Sequence, residues 1–407
     1  MLTSSRTWAR PAAPRRLARS RRTIRPWPRS RRRRKTTDAQ HWRESFVIAL
    51  PDFPWDSLAS YKTTAEAHPD GIADLSVGTP VDPVPEVVRR ALAEAADSPG
   101  YPLTYGTARL REAAAGWLAR RHGVTADPAG VLPTIGSKEL VAWLPTLLGV
   151  GPGDKVIFPA LAYPTYDVGA RLAGAEPFPT DGLLSLGPER VPLVWVNSPS
   201  NPTGKVLPAE HLAKVVAWAR ERGAVVASDE CYIELGWEKR PVSILHPDVS
   251  GGSHEGLLAV HSLSKRSNLA GYRAAFVAGD PVLVKRLLEV RKHAGMIVPE
   301  PVQAAMTAAL DDDAHADEQR ERYSARRTAL RAALESAGWR VDHSEAGLYL
   351  WATDGTGCWD QVARLAKLGI LVAPGSFYGT AGESHIRVAI TATDERIAAA
   401  VARLTVA

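Results

Sequence analysis

Cysteine is almost missing from this chain. Two residues in 407, Cys231 and Cys358, are too few for a disulfide framework, and no spacing of Cys with His resembles a structural zinc site, which fits a reducing cytoplasm. There is no run of 18 apolar residues, so no membrane span is expected. No internal repeat is found. Acidic side chains are nearly absent from residues 1–40, where Asp38 stands alone against thirteen arginines and Lys35. The formal net charge of +6 therefore misleads, because that stretch carries +13 and the remaining body −7. Basic charge in an unpatterned Pro/Arg/Ser-rich leader does not make a nucleic-acid groove, and the acidic body argues against one. The leader also lacks an apolar centre, which argues against a secretory or twin-arginine signal. Residues 1–45 read as a disordered basic leader; an Arg-rich targeting peptide is the alternative, and the segment is not translated at all if the start lies near Val47.

The body has what a large core needs, with 45% hydrophobic residues over the whole chain. From Leu50 onward helical patterns alternate with short β-branched runs, which predicts an α/β fold with a mostly parallel sheet flanked by helices. Strands are expected at Lys155–Phe158, Leu193–Asn197, Ala224–Ser228, Leu257–His261 and Ala274–Ala278. Ligands collect at the carboxyl ends of parallel strands, so Asn197, Asp229 and Ser262 stand where a site would form. Leu110, Ala114, Trp117 and Leu118 make an apolar stripe on a helix over Thr107–Arg121, and a second long helix fits Ala316–Ala337. Strand patterns at Leu348–Ala352 and His385–Ile390 point to a smaller α/β unit at the carboxyl end. The expected division is an arm and part of a small domain over 46–95, a large domain over 96–295 and the rest of the small domain over 296–407.

Three strand-end motifs carry chemistry together. Ser262-Leu-Ser-Lys265 follows an apolar strand, with Arg273 eight residues beyond the lysine. A lysine becomes a nucleophilic amine when burial or neighbouring cations lower its pKa, and Ser262, Ser264 and Arg273 suit a phosphate dianion. Taken alone this reads better as a solvated polar loop than as a site. In Val225-Val-Ala-Ser-Asp229-Glu-Cys-Tyr232 an apolar strand ends on a carboxylate able to keep a pyridine nitrogen protonated, although a strand-end aspartate capping a turn looks the same. In Val194-Trp-Val-Asn197-Ser-Pro-Ser-Asn201-Pro-Thr-Gly204, Pro202 would hold Asn201 extended with its amide free. The joint occurrence of the three, in this order, is what decides against plain turns.

Over roughly residues 50–405 the chain resembles the fold-type-I, class I and II aminotransferases that depend on pyridoxal 5′-phosphate. The resemblance implies a large domain with a mostly parallel sheet and a smaller α/β domain. It makes Lys265 the Schiff-base lysine and proton shuttle, and Asp229 the partner of the pyridine nitrogen. Asn201 and Tyr232 would contact the ring oxygen, and Ser262, Ser264 and Arg273 would hold the phosphate. Gly136, Ser137 and Lys138 open a helix whose start would add to that phosphate cradle. Tyr163 resembles the aromatic that stacks on the cofactor ring. Tyr101, five residues before Gly106, resembles the tyrosine that reaches the phosphate of a neighbouring subunit, with Tyr105 as competitor; either implies a homodimer with shared sites. Arg387 matches the arginine that grips the substrate α-carboxylate, and Gly78 the glycine whose backbone lies beside it.

The stretches Phe53-Pro-Trp-Asp56, Leu75–Pro83, Gly100–Glu112 and Ser264–Arg273 resemble the actinobacterial succinyldiaminopimelate aminotransferases of lysine and diaminopimelate biosynthesis. These exchange an amino group between glutamate and N-succinyl-2-amino-6-oxopimelate. Arg109, Arg111 and Arg266 are candidates for the succinyl end, against simple solvent exposure of each. Three other functions share the same motifs: an aminotransferase for aspartate or aromatic amino acids, a C–S lyase of this fold, and the effector domain of a transcription regulator. The leader is too short and unpatterned for the DNA-binding domain the last requires.

Overall fold

The computed structural model describes residues 48–183, 186–187 and 189–406; the leader of residues 1–45 lies outside them. Among the described residues there are thirteen strands. In chain order they are β1 (Ala73–Asp74), β2 (Val131–Ile135), β3 (Lys155–Phe158), β4 (Glu176–Pro179), β5 (Leu193–Asn197), β6 (Val225–Asp229), β7 (Leu257–Ser262) and β8 (Ala274–Gly279). They continue as β9 (Arg340–Asp342), β10 (Tyr349–Thr353), β11 (Ile370–Leu371), β12 (Ala373–Pro374) and β13 (Ile386–Ala389).

The seven-stranded sheet has the order β2-β8-β7-β6-β5-β3-β4. Its strands from β7 through β4 pair in parallel, and β8 runs antiparallel to both of its neighbours. The strands β5, β7 and β8 are buried along their whole length, as a sheet covered by helices on both faces requires. Parallel pairing brings the carboxyl ends of β5, β6 and β7 to one edge, with Asn197 opposite Asp229 and Asp229 opposite Val260. This is the edge at which the motifs stand.

The α/β expectation holds, and the strand boundaries move by a residue or so. Asp229 and Ser262 are the last residues of their strands rather than the first residues of loops. Two edge strands, β2 and β4, were not expected. The helix expected from Thr107 runs from Ala108 to His122, with Thr107 accepting from the backbone N–H of Leu110 as its N-cap and Gly123 at φ +67 closing it. The long helix spans Ala314–Ser336.

A second sheet, β12-β13-β10-β9, is antiparallel throughout, and β1 pairs in parallel with β11. Their core unites Leu58, Ala65 and Leu75 with Tyr323, Leu350, Val362 and Val388. Residues 50–407 form one compact unit. No helix among the described residues is long and apolar enough to cross a membrane.

Candidate active site

A cleft of about 410 Å³ opens at the carboxyl ends of β5, β6 and β7. Its lining includes Gly78, Ser137, Lys138, Tyr163, Asn201, Asp229, Tyr232, Ser262, Ser264, Lys265, Arg273 and Arg387, residues drawn from segments up to three hundred positions apart. Four of the lining side chains are cationic and one, Asp229, is acidic. Such a cavity is built for anions.

Lys265 sits in the short helical turn Leu263–Arg266 that follows β7. Ser262 caps that turn, its Oγ accepting from the Ser264 N–H at 3.1 Å. The Lys265 ammonium donates to the carbonyl of Gly78. Burial holds its pKa below the ordinary lysine value, with the charges of Arg387 and Arg273 acting in the same direction against Tyr349 and Cys231. A Cβ at residue 78 would lie 2.4 Å from the Tyr349 hydroxyl, so only glycine lets this backbone come so near.

Asp229 lies at the floor. Its Oδ2 accepts from the Tyr166 hydroxyl at 2.9 Å and its Oδ1 from the Cys231 N–H at 3.3 Å. Burial raises its pKa, and the hydrogen bonds from Cys231 and Tyr166 offset part of that rise. A buried carboxylate with two donors and, among the described residues, no basic side chain paired with it is a seat for a cationic ring nitrogen.

The cationic end is formed by Gly136, Ser137, Lys138, Ser264 and Arg273. Gly136 precedes the helix Ser137–Leu147 at φ +78, and a Cβ there would lie 2.2 Å from Arg273 Nη2. Arg273 itself has φ +56 and donates to the carbonyl of Ala270 at 2.8 Å. Lys138 stands 6.0 Å from the Tyr163 ring centre, its pKa lowered by burial and then by Arg273. Helix N-terminal amides, hydroxyls and a guanidinium suit a phosphate group. With Asp229, this cluster and Lys265 all lining one cleft, the residues fit pyridoxal 5′-phosphate.

Arg387, on β13, is 2% exposed. It donates to Asn201 Oδ1 at 2.8 Å and to the Ser76 carbonyl at 2.8 Å, and its guanidinium carbon lies 3.9 Å from the Tyr349 ring centre. Among the described residues no carboxylate pairs with it, and its Nε has no hydrogen-bond partner. Leaving a buried charge uncompensated costs about 3–5 kcal/mol, which an incoming carboxylate would relieve. Asn201 is held from the other side as well, its N–H donating to Asn197 Oδ1 at 2.7 Å.

Several contributors escaped the sequence. Tyr349 shares a 3.2 Å hydrogen bond with the Tyr232 hydroxyl. Burial raises both phenols, yet the charges of Arg387 and Lys265 outweigh it at Tyr349 and hold that phenol below its ordinary value. Tyr166 and Cys231 had no expected role, and Phe53 and Trp55, which line the cleft, stood in the sequence only as part of a stretch resembling a subgroup. The only sequence signal for Tyr349 is an aromatic in a strand that turns out to pair with the strand of Arg387.

Four expected residues lie elsewhere. Tyr101 is fully exposed and lies outside this chain's own cleft, whereas the Tyr105 hydroxyl donates to Ala129 O at 2.9 Å. None of the candidates for the succinyl end lines this chain's own cleft. Arg109 pairs with Asp311, Arg111 packs 4.0 Å over Tyr105, and Arg266 is neither exposed nor in the cleft but buried against Glu234 and Ala309 O.

With this geometry in view, the family model for aminotransferase class I and II matches residues 70–404. The chain is 66% identical over 356 residues, 88% of its length and 99% of the relative's, to the 4-dedimethylamino-4-oxo-anhydrotetracycline transaminase of Streptomyces rimosus. It is 65% identical over 358 residues, 88% of its length and 86% of the relative's, to a "probable aminotransferase" of Mycobacterium tuberculosis. A solved structure described as a "probable N-succinyldiaminopimelate aminotransferase" of Thermus thermophilus superposes with a TM-score of 0.78 at 28% identity, over 87% of this chain and 99% of that one.

Proposed function

We propose that this chain, which belongs to the class I and II aminotransferases and depends on pyridoxal 5′-phosphate, transfers the amino group of glutamate to N-succinyl-2-amino-6-oxopimelate. The observation that carries an amino-acid substrate is Arg387, a buried guanidinium with no acid of its own. The succinylated acceptor is supported by the sequence resemblance at residues 53–56, 75–83, 100–112 and 264–273, and by the likeness to the Thermus structure.

When bound, the cofactor supplies an electron sink for charge at the substrate α-carbon and a carbon that carries the amino group from donor to acceptor. Asp229 would hold the ring nitrogen in its protonated form, and Tyr166 keeps that carboxylate oriented. Ser262, Ser264, Arg273 and the start of the helix at Ser137, with Gly136 and Lys138, would hold the phosphate. Tyr163 would pack against the ring, and Asn201 and Tyr232 would contact its oxygen. Arg387 and the backbone at Gly78 orient the substrate so that its α-carbon faces Lys265. Lys265 Nζ then takes the α-proton, a task its lowered pKa suits because a larger fraction of the amine is neutral.

The enzyme is proposed to work as a homodimer in the cytoplasm, Tyr101 reaching the phosphate of the partner subunit. Its free side chain favours it over Tyr105, whose hydroxyl is already bound within the chain. A second reading, amination of a tetracyclic ketone, is favoured by the 66% identity to the Streptomyces rimosus enzyme. Arg387 serves the glutamate half of the reaction under either reading, so the acceptor decides between them. The purified holoenzyme is assayed with glutamate and each acceptor in turn, following 2-oxoglutarate. Higher kcat/KM with the succinylated oxo acid is expected. Turnover confined to the tetracyclic ketone refutes the first reading, and pyruvate, ammonia and a thiol released from an S-substituted cysteine such as cystathionine, with no acceptor present, would mark a lyase.

A further inference from the structure

The long helix Ala314–Ser336 buries a polar stripe where an apolar one would be expected. His315, Gln319, Tyr323 and Arg326, spaced four, four and three residues apart, share one face and are at most 9% exposed. Each reaches one of two loops. The first carries Lys265: His315 Nε2 and Ser267 Oγ are 2.8 Å apart, and Asn268 Nδ2 donates to Gln319 Oε1 at 2.9 Å. The second runs from Ser76 to Pro83 and carries Gly78, whose carbonyl takes the Lys265 ammonium. Here Asp82 accepts from Gln319 Nε2 at 2.8 Å and from both Arg326 terminal nitrogens at 2.7 and 2.6 Å.

Gln319 is the one side chain of the stripe that holds both loops. Its amide orientation follows from its partners, since Asp82 only accepts and Asn268 presents its NH₂. Asn268 also donates to Pro83 O at 3.2 Å, so the loops touch directly at the same point. We propose that Gln319 is a positioning residue for transamination: by bridging Asp82 and Asn268 it fixes the distance between the loop of Lys265 and the loop that lies beside the substrate carboxylate. The same clamp reaches Arg387 through the Ser76 carbonyl. A hydrophobic residue at 319 would pack equally well on a helix of this kind; the amide is needed because it must accept from one loop and donate to the other.

This inference rests on Lys265 being the reactive amine. Failure of that assignment would show as activity in Lys265→Ala, whereas every clamp variant keeps Lys265. The test compares the holoenzyme with Gln319→Glu, Asp82→Asn and the double variant, each saturated with pyridoxal 5′-phosphate and with kcat expressed per bound cofactor. Gln319→Glu sets a second carboxylate against Asp82 and removes the donor. Misplacement of the reacting groups by a fraction of an ångström should then lower kcat about tenfold or more. Adding Asp82→Asn returns a donor to the pair and should recover most of the loss. A clamp serving stability alone would lower the melting temperature and leave kcat per bound cofactor unchanged, which overturns the proposal. A double variant no faster than Gln319→Glu overturns it too. Should Gln319→Glu not fold, Gln319→Leu, of similar volume and without polar atoms, is judged by the same kcat criterion.

Discussion

Tyr166→Phe removes one oxygen from behind Asp229 and leaves the packing in place, because the ring stays against Trp195, Phe158 and Tyr163 at 5.1, 6.2 and 6.2 Å. The hydroxyl makes the shorter of the two hydrogen bonds to that carboxylate, 2.9 Å against 3.3 Å from the Cys231 N–H. A hydrogen bond to a charged group contributes about 1.5–3 kcal/mol. If ionised Asp229 holds the cofactor's ring nitrogen, the loss raises the dissociation constant of pyridoxal 5′-phosphate by roughly ten- to a hundredfold. The assay is a titration of the apoprotein with cofactor, followed by visible absorbance, beside a thermal melt of each protein. The pH dependence has a definite sign. The Tyr166 bond favours the ionised form of a carboxyl whose pKa burial has raised. In the apoprotein the bond helps Asp229 lose the proton it must give up to pair with a protonated ring nitrogen, so the substitution costs most affinity at low pH, where that carboxyl is protonated, and least where it is already ionised. Equal affinities for the two proteins across the pH range would refute the role given to Asp229 and Tyr166 together.

Arg387→Met should raise KM for glutamate far more than it lowers cofactor binding. Truncating one side of a buried charge pair costs about 2–5 kcal/mol, and steady-state kinetics with a cofactor titration separate the two effects. Gly136→Ala places a methyl group 2.2 Å from Arg273 Nη2 in a backbone at φ +78, so affinity for inorganic phosphate and for the cofactor should both fall, read by calorimetry on the apoprotein. Glu230, raised by burial to about 7, keeps in the fold a proton it would lose when unfolded, so it makes stability fall as pH climbs from 4.5 to about 7. His122 and His261, lowered by burial to about 4 and about 3, act in the opposite sense up to pH 6.5. Glu230→Gln should thus make stability rise more steeply between about pH 4.5 and 6.5, measured by urea melts; parallel curves for the two proteins would contradict this.

The strands that carry chemistry were legible because each is an apolar, β-branched run that stops at a polar residue, as Val225–Asp229 does. The edge strands were not. Val131–Ile135 contains Pro133, and Glu176–Pro179 contains two prolines and is open to solvent on both faces, so neither carries the pattern of a buried strand. Local motifs likewise made Lys265, Asp229, Asn201 and Arg273 readable, since each is set by its own strand end. Residues whose place depends on long-range packing were hidden: Tyr349 meets Tyr232 across 117 positions, and Gln319 meets Asp82 across 237. Arg266 misled for the same reason, because a charged residue beside Lys265 gives no local sign that Glu234 and Ala309 will bury it.

Two lysines line the cleft, Lys265 and Lys138, and the proposed chemistry requires the cofactor on Lys265. Reduction of the holoenzyme with borohydride, followed by proteolysis and mass spectrometry, fixes the cofactor to the residue that holds it. A phosphopyridoxyl group on the peptide containing Lys265, and its loss together with transaminase activity in Lys265→Ala, is the predicted result. A label on Lys138, or an active Lys265→Ala enzyme, would contradict it.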